Sequence, residues 1–220
     1  MRNYTYNFET STMITQFMAA MDDIVVKRYN QDQSVADQLE VRFLYAPKER
    51  VLADLTDKAQ TIQLPVISTY IGGISRDPNR VFNKVIGSYY NSGELGNLGL
   101  MPQPVPINLT LNMMIWTRYQ KDMDQIVSNF VPYFDPYIEV SWKIPAMNDF
   151  EIRSKIVWNS NINFTYPFDI NSSQVARIQA ETSFTIEGWL YKSMTGQSTN
   201  KIFTTYANIN TVDSLSAYSI

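Results

Sequence analysis

The sequence has no cysteine and no histidine. Without cysteine there is no disulfide framework, no thiolate nucleophile and no cysteine-ligated zinc or iron–sulfur centre. Without histidine, the Ser-His-Asp arrangement, the usual general base near neutral pH and the commonest metal ligand are also gone. The chemistry left is that of carboxylates, Lys, Tyr or Ser, and oxygen-ligated Mg²⁺ or Ca²⁺. Charge is sparse too. Charged residues are 18% of the 220, with 18 Lys and Arg against 21 Asp and Glu for a net charge of −3. That is below the roughly one quarter usual in globular chains. With no basic run to neutralise phosphates, no direct nucleic-acid partner is expected. Long apolar runs are missing as well. The longest uncharged stretch, Leu95–Thr117, carries Pro102, Pro104, Pro106, Asn97, Gln103, Asn108 and Asn112, which exclude a membrane helix. Met1–Thr10 has no apolar run of signal type, so synthesis and assembly in a cytoplasm, with no membrane contact, are expected.

What the chain does have is apolar surface. Hydrophobic residues are 45% and aromatics 13%, with 11 Phe, 4 Trp and 14 Tyr, ample for a core. The length points to one domain, taken as residues 1–192, followed by a polar Ser/Thr/Asn arm over 193–220. The spacing of Ile14, Phe17, Met18, Met21, Ile24 and Val25 predicts an amphipathic helix over Ser11–Tyr29. Strands are predicted over Leu39–Tyr45 and Ile62–Ile71, with Pro65 placing the second at an edge or a bulge. Pro47 opens a short helix carrying Val51, Leu52 and Leu55. Residues 72–106, rich in Gly and Pro, read as a long irregular contact loop. Val105–Trp116 alternates strictly and predicts a strand. Thr117 with Gln120 fits a capping box for a helix with Met123, Ile126, Val127, Phe130 and Val131 on its apolar face, ended by Pro132. A strand over Tyr137–Ile144 then completes a βαβ-type unit. Long strands over Phe150–Trp158, continuing towards Tyr166, and over Arg177–Tyr191 follow.

Candidate chemistry is thin. Asp122 and Asp124 form a D-x-D, but two residues apart on a helix they point in different directions and read as a solvated face, as do Asp22 and Asp23. Gly93, Gly96 and Gly99 lack the G-K-[ST] ending of a phosphate loop, and Pro102 blocks a following helix. Arg118 and Asp122 are spaced as an i,i+4 pair worth about 0.3 kcal/mol if exposed, or as half of an intersubunit contact. The Met residues, Met113 and Met123 among them, read as core filling that would also suit a surface repacking on assembly.

Three segments taken together resemble the tail sheath stabiliser and completion proteins of contractile-tailed bacteriophages. They are Tyr45–Glu49 (YAPKE), Thr117–Met123 (TRYQKDM) continuing to Val131–Pro136 (VPYFDP), and Glu187–Tyr191 (EGWLY). The resemblance implies an α/β (α+β) fold, a mixed β-sheet flanked by helices of tail-terminator type, carrying the long loop and the C-terminal arm. It further implies a homo-oligomer, a hexameric ring, that caps the tube and sheath at the head-proximal end of the tail and meets the neck. The partners would be tube, tube terminator, sheath and neck proteins, and the location the tail-neck junction of the virion. No catalytic, cofactor or metal site is expected. The contact residues expected are Arg76, Asn91, Leu95 and Leu100 in the loop, Arg118 and Asp122 on the central helix, and Phe203 and Tyr206 in the arm. Heterologous ring contacts use two different patches, and low surface charge suits them. A neck or head-tail connector protein is the alternative, distinguished by exclusive binding to portal. A carboxylate enzyme would need a buried acidic pair about 5 to 10 Å apart in a cleft.

Overall fold

The computed structural model describes residues 8–56, 63–81, 88–91, 98–101, 103–143, 151–166 and 177–191. Its centre is a pair of thirteen-residue strands, β7 (Val105–Thr117) and β10 (Ile178–Leu190), antiparallel along their whole length. Outside β10 lie β9 (Glu151–Thr165) and then β8 (Ile138–Lys143). Outside β7 lie β4 (Val66–Arg76) and then β3 (Arg42–Tyr45), whose pairing with β4 is parallel. The result is a six-stranded mixed sheet of order β3-β4-β7-β10-β9-β8.

The alternation expected in β7 holds. Ile107, Leu109, Leu111, Met113 and Ile115 are buried in one core with Met13, Phe17 and Met21 of α1 (Glu9–Met21) and Met123, Ile126 and Phe130 of α3 (Gln120–Tyr133). Among the described residues the opposite face is covered only at one end. There Met114 and Trp116 pack with Val66 and with Val51 of α2 (Lys48–Thr56). That is why Met113–Trp116 is apolar on both faces, while Asn108, Thr110 and Asn112 further back are only half-buried. No helix among the described residues is long and apolar enough to cross a membrane.

Several expectations are corrected. The first helix stops at Met21. Val25–Tyr29 is a strand, β1, paired antiparallel with β2 (Val35–Glu40) in a separate two-stranded sheet. Asp22 and Asp23 end the helix, and the β-branched pair Val25-Val26 favours extended backbone while Val26 stays fully buried. The strand expected over 39–45 is divided at Val41, whose N–H donates to Ile24 O (3.0 Å), between β2 and β3. In β4 the bulge falls at Gly72 rather than at Pro65. A side chain at Gly72 would meet the Asn112 amide at 2.8 Å, so the amide would have to shift to admit one. Residues 72–76 continue β4, and within 72–106 a hairpin of β5 (Ser88–Asn91) and β6 (Leu98–Met101) also forms. The capping box does not form. The N-cap of α3 is Tyr119 with no side-chain cap bond, and the buried Thr117 hydroxyl has no partner among the described residues. The helix includes Pro132 in its last turn. The adjacent parallel βαβ unit is β3–α2–β4, because β8 lies three places from β7 and, by three successive antiparallel pairings, runs opposite to it.

Candidate assembly surface

The two carboxylates of the D-x-D part company in the fold. Asp124 is exposed and accepts a hydrogen bond from Gln120 (2.8 Å). Asp122 is buried, contrary to the solvated face expected, and pairs with Arg28 of β1 (Nη2–Oδ2, 3.1 Å). The Arg118–Asp122 pair is not made. Arg118 instead lies over the Tyr119 ring (5.6 Å), which also takes the Arg28 guanidinium (5.1 Å). One turn further along α3, Gln125 accepts from Lys27 N–H and donates to Lys27 O, both at 2.9 Å. A side-chain amide thereby takes the place of a neighbouring strand, and the β1–β2 hairpin is clamped to α3. A two-stranded hairpin on its own is marginal in water, so this clamp is what fixes it. Tyr29 and Val35, paired across the hairpin, are 58% and 53% exposed, and Tyr119, whose ring takes Arg28 of the same strand, is 48% exposed. Among the described residues no three acidic side chains gather where they could hold a metal ion.

The Glu187–Tyr191 block makes a second joint at the end of β10. Gly188 sits directly beneath the Met13 sulfur of α1, where a Cβ would overlap it. Met13 is fully buried and has little room to retreat, so Gly188→Ala should cost about 1–3 kcal/mol as overpacking, read as a lower urea midpoint at unchanged slope. Trp189 lies under the Arg80 guanidinium (5.1 Å). Arg80 also pairs with Asp77 (2.9 Å) and donates to Ile107 O (2.8 Å) and Asn108 Oδ1 (2.7 Å), fixing the start of the segment beyond β4. The Asp77 carboxyl is held below its usual range by the Arg80 hydrogen bond and then by the Asn79 amide. Tyr191 N–H donates to Glu9 Oε1 (3.0 Å), tying the chain after β10 to the first turn of α1. The Tyr191 hydroxyl is pushed up to about 12 by burial and then by the Glu9 charge. The folded state thus keeps this proton above pH 10, where the unfolded chain has lost it. Stability should be intact below about pH 10 and fall between 10 and 12, and Tyr191→Phe should flatten that fall in a series of melting curves.

At the third block, Ala46 N–H donates to Thr69 O (3.0 Å) and the Pro47 carbonyl accepts from Arg50 and Val51, turning β3 into α2. Arg177 fastens the far end of α2 by donating to Leu55 O (2.8 Å).

The expected contact residues do not gather into one site. Arg76 and Arg118 are both exposed, but Arg76 pairs opposite Ile107 and Arg118 follows Thr117. At about 3.3 Å per residue they stand at opposite ends of β7, more than about 30 Å apart. Asp122 is internal. Asn91 ends β5 and Leu100 lies in β6 opposite Tyr89. Leu95, Phe203 and Tyr206 lie outside the described residues. Sequence reasoning missed the hairpin with its exposed Tyr29–Val35 pair. Its signal is the paired Asp22-Asp23 followed by Val25-Val26, a helix stop and a strand start inside an apparently continuous helical spacing.

The family described as T4-like virus Myoviridae tail sheath stabiliser matches residues 4–219. Tail completion protein gp15 of Enterobacteria phage T4 is 28% identical over 225 residues, which cover 96% of this chain and 80% of that protein. Among solved structures, the PVC sheath/tube terminator of an extracellular contractile injection system in its extended state aligns with 95% of this chain at 10% identity and a TM-score of 0.34. The chain spans 66% of that chain's length.

Proposed function

The chain belongs to the T4-like virus Myoviridae tail sheath stabiliser family, and from that premise we propose that it is the capping subunit of a contractile tail, working by surface fit and not by turnover. Members of this family are structural phage tail proteins, so the chain is a virion component that associates with tail tube and sheath. In the finer reading, six copies close a ring over the last turn of tube and sheath at the head-proximal end, and the exposed face of that ring meets the neck. The observation that carries the reading is the family match across 4–219, which includes all three joints. Each joint holds a protruding element in a fixed pose: the hairpin on α3, the chain after β10 on α1, and α2 on the sheet. Such joints suit a part whose shape is its function. Arg76 and Arg118, exposed at opposite ends of β7, and the exposed Tyr29 and Val35 of the hairpin supply separate surfaces for heterologous contact.

Electron microscopy of tails incubated with the purified chain tests this. A closed ring at the head-proximal end is the expected result. Density along the shaft or at the distal end would reject the proposal. Pull-down with separate tube, sheath and portal proteins is expected to retain tube or sheath, and retention of portal alone would reject it in favour of a connector.

A further inference from the structure

β4 is eleven residues long, but β3 covers its outer edge only from Val66 to Thr69. From Tyr70 to Arg76 the side of β4 away from β7 is paired with nothing among the described residues. Gly72 to Arg76 are exposed. Ile74 lies opposite Leu109, hence on the core-side face, yet is 51% exposed because no neighbour continues the sheet there. The vacancy has definite ends: Tyr45 closes one, and the end of β4 at Arg76 is the other. A free edge this long is a template for another strand and a hazard if left open.

The chain after β10 is well placed to fill it. Leu190 pairs opposite Val105 and Arg76 opposite Ile107, so β10 ends at the same side of the sheet as β4 does. A strand outside β4 lies three strand spacings, about 14 Å, from β10. The ten residues 192–201 can reach about 33 Å when extended. Ile202-Phe203-Thr204-Thr205-Tyr206 follows, five consecutive β-branched or aromatic residues without Gly or Pro. A chain turning back from β10 would run antiparallel to β4, the favoured pairing with a short return. The N-terminal residues fit less well. Phe8 also starts beside the end of β10, because Glu9 binds Tyr191. Laying five of residues 1–7 on the edge would leave two to cross the sheet, about 7 Å where about 14 Å is needed. A tether in reach also gives an effective concentration of order mM, which a second copy would have to match.

We propose that Ile202–Tyr206 adds to the outer edge of β4 as an antiparallel strand in the same chain, running from Arg76 towards Tyr70 and covering Ile74. The arm then supplies the seventh strand of the sheet.

The absence of native cysteine makes the test clean. Ser75→Cys is combined in the full-length chain with a cysteine at each of positions 202 to 206 in turn. Cα separations of about 4.5–5.5 Å in an antiparallel pair fall within disulfide range, so oxidation should close an intrachain bridge at one or two of these positions. A bridge between chains would put a neighbour's arm on the edge and overturn the proposal. So would no bridge at any position, or a bridge formed from Thr5→Cys instead. Hydrogen exchange reads the same strand without cross-linking. Thr204→Pro in the full-length chain should speed exchange of the Ile71–Arg76 amides at least tenfold while the β7–β10 amides keep their rates. Unchanged exchange at Ile71–Arg76 would overturn it.

Discussion

Phe184→Ala is expected to lower folding stability by about 4 kcal/mol, within the 3–5 kcal/mol usual for emptying a buried Phe site. Phe184 is 0% exposed at the middle of β10. Its ring centroid lies 5.0 Å from Phe17 of α1, 6.1 Å from Phe130 of α3 and 4.9 Å from Phe134 at the end of α3. Both helices that cover this face of the sheet therefore rest on this one ring. Tilted and edge-on contacts of this kind add about 0.5–1.5 kcal/mol each beyond burial, although they do not sum. Helices anchored at several other points cannot follow the lost side chain inward, so the cavity should stay open. At about 1.4 kcal/mol per decade, 4 kcal/mol reduces the folded-to-unfolded ratio roughly a thousandfold. Urea unfolding followed by Trp fluorescence should give a lower midpoint with the slope unchanged. Phe184→Leu, which keeps most of the volume, should lose less than half as much. A loss under about 1.5 kcal/mol for the Ala variant would mean that α1 and α3 collapse onto the vacancy, and the keystone role would be wrong.

Where one rule dominates locally, the fold is legible from sequence. β10 alternates along its whole length and β7 from Ile107 to Ile115, too long a record to be read otherwise, and the stripe from Met123 to Phe130 places α3 correctly. The misreadings fall where a distant contact decides. Ile24 and Val25 continue the spacing of α1, and Val26 would be buried as helix or as strand. What settles the matter is Gln125, 98 residues away, receiving Lys27 as a strand. Register is equally remote: nothing local tells that Tyr137–Ile144 crosses to the far edge of the sheet instead of pairing beside β7. In residues 72–106 the four-residue strands β5 and β6 are too short to show a period.

The candidate surface was legible as a set of segments but not as contacts. The three blocks that carry the family resemblance are the three joints of the fold, yet none announces its partner. Trp189 gives no hint of Arg80, nor Asp122 of Arg28, because each pair is made between residues more than ninety positions apart. Asp122 was assigned to solvent because it lies off the apolar stripe of α3. That inference assumes a helix with one packed face, whereas α3 has two, one on the sheet and one on the hairpin.

The Arg28–Asp122 pair should answer unequally to removal of its two partners, and the inequality is the test of the clamp. The Asp122 side chain is 3% exposed and that of Arg28 36%. Arg28→Met leaves a carboxylate buried with its cation gone, a loss expected at about 2–4 kcal/mol, towards the range for breaking a buried pair. Asp122→Asn leaves a guanidinium that still reaches water and still lies over Tyr119, and keeps an acceptor for Nη2, so about 1–2 kcal/mol is expected. In both variants hydrogen exchange should rise first at Val25–Tyr29, since the ion pair no longer backs the Gln125 bonds and the buried Val26 there, while β7 and β10 stay protected. If the hairpin meets the tail, the Arg28→Met variant at a temperature where the sheet is intact should cap fewer tails than the parent, counted by electron microscopy. Full capping with a released hairpin would remove Tyr29 and Val35 from the assembly surface. A larger loss from Asp122→Asn than from Arg28→Met would mean that the carboxylate serves α3 itself rather than the hairpin.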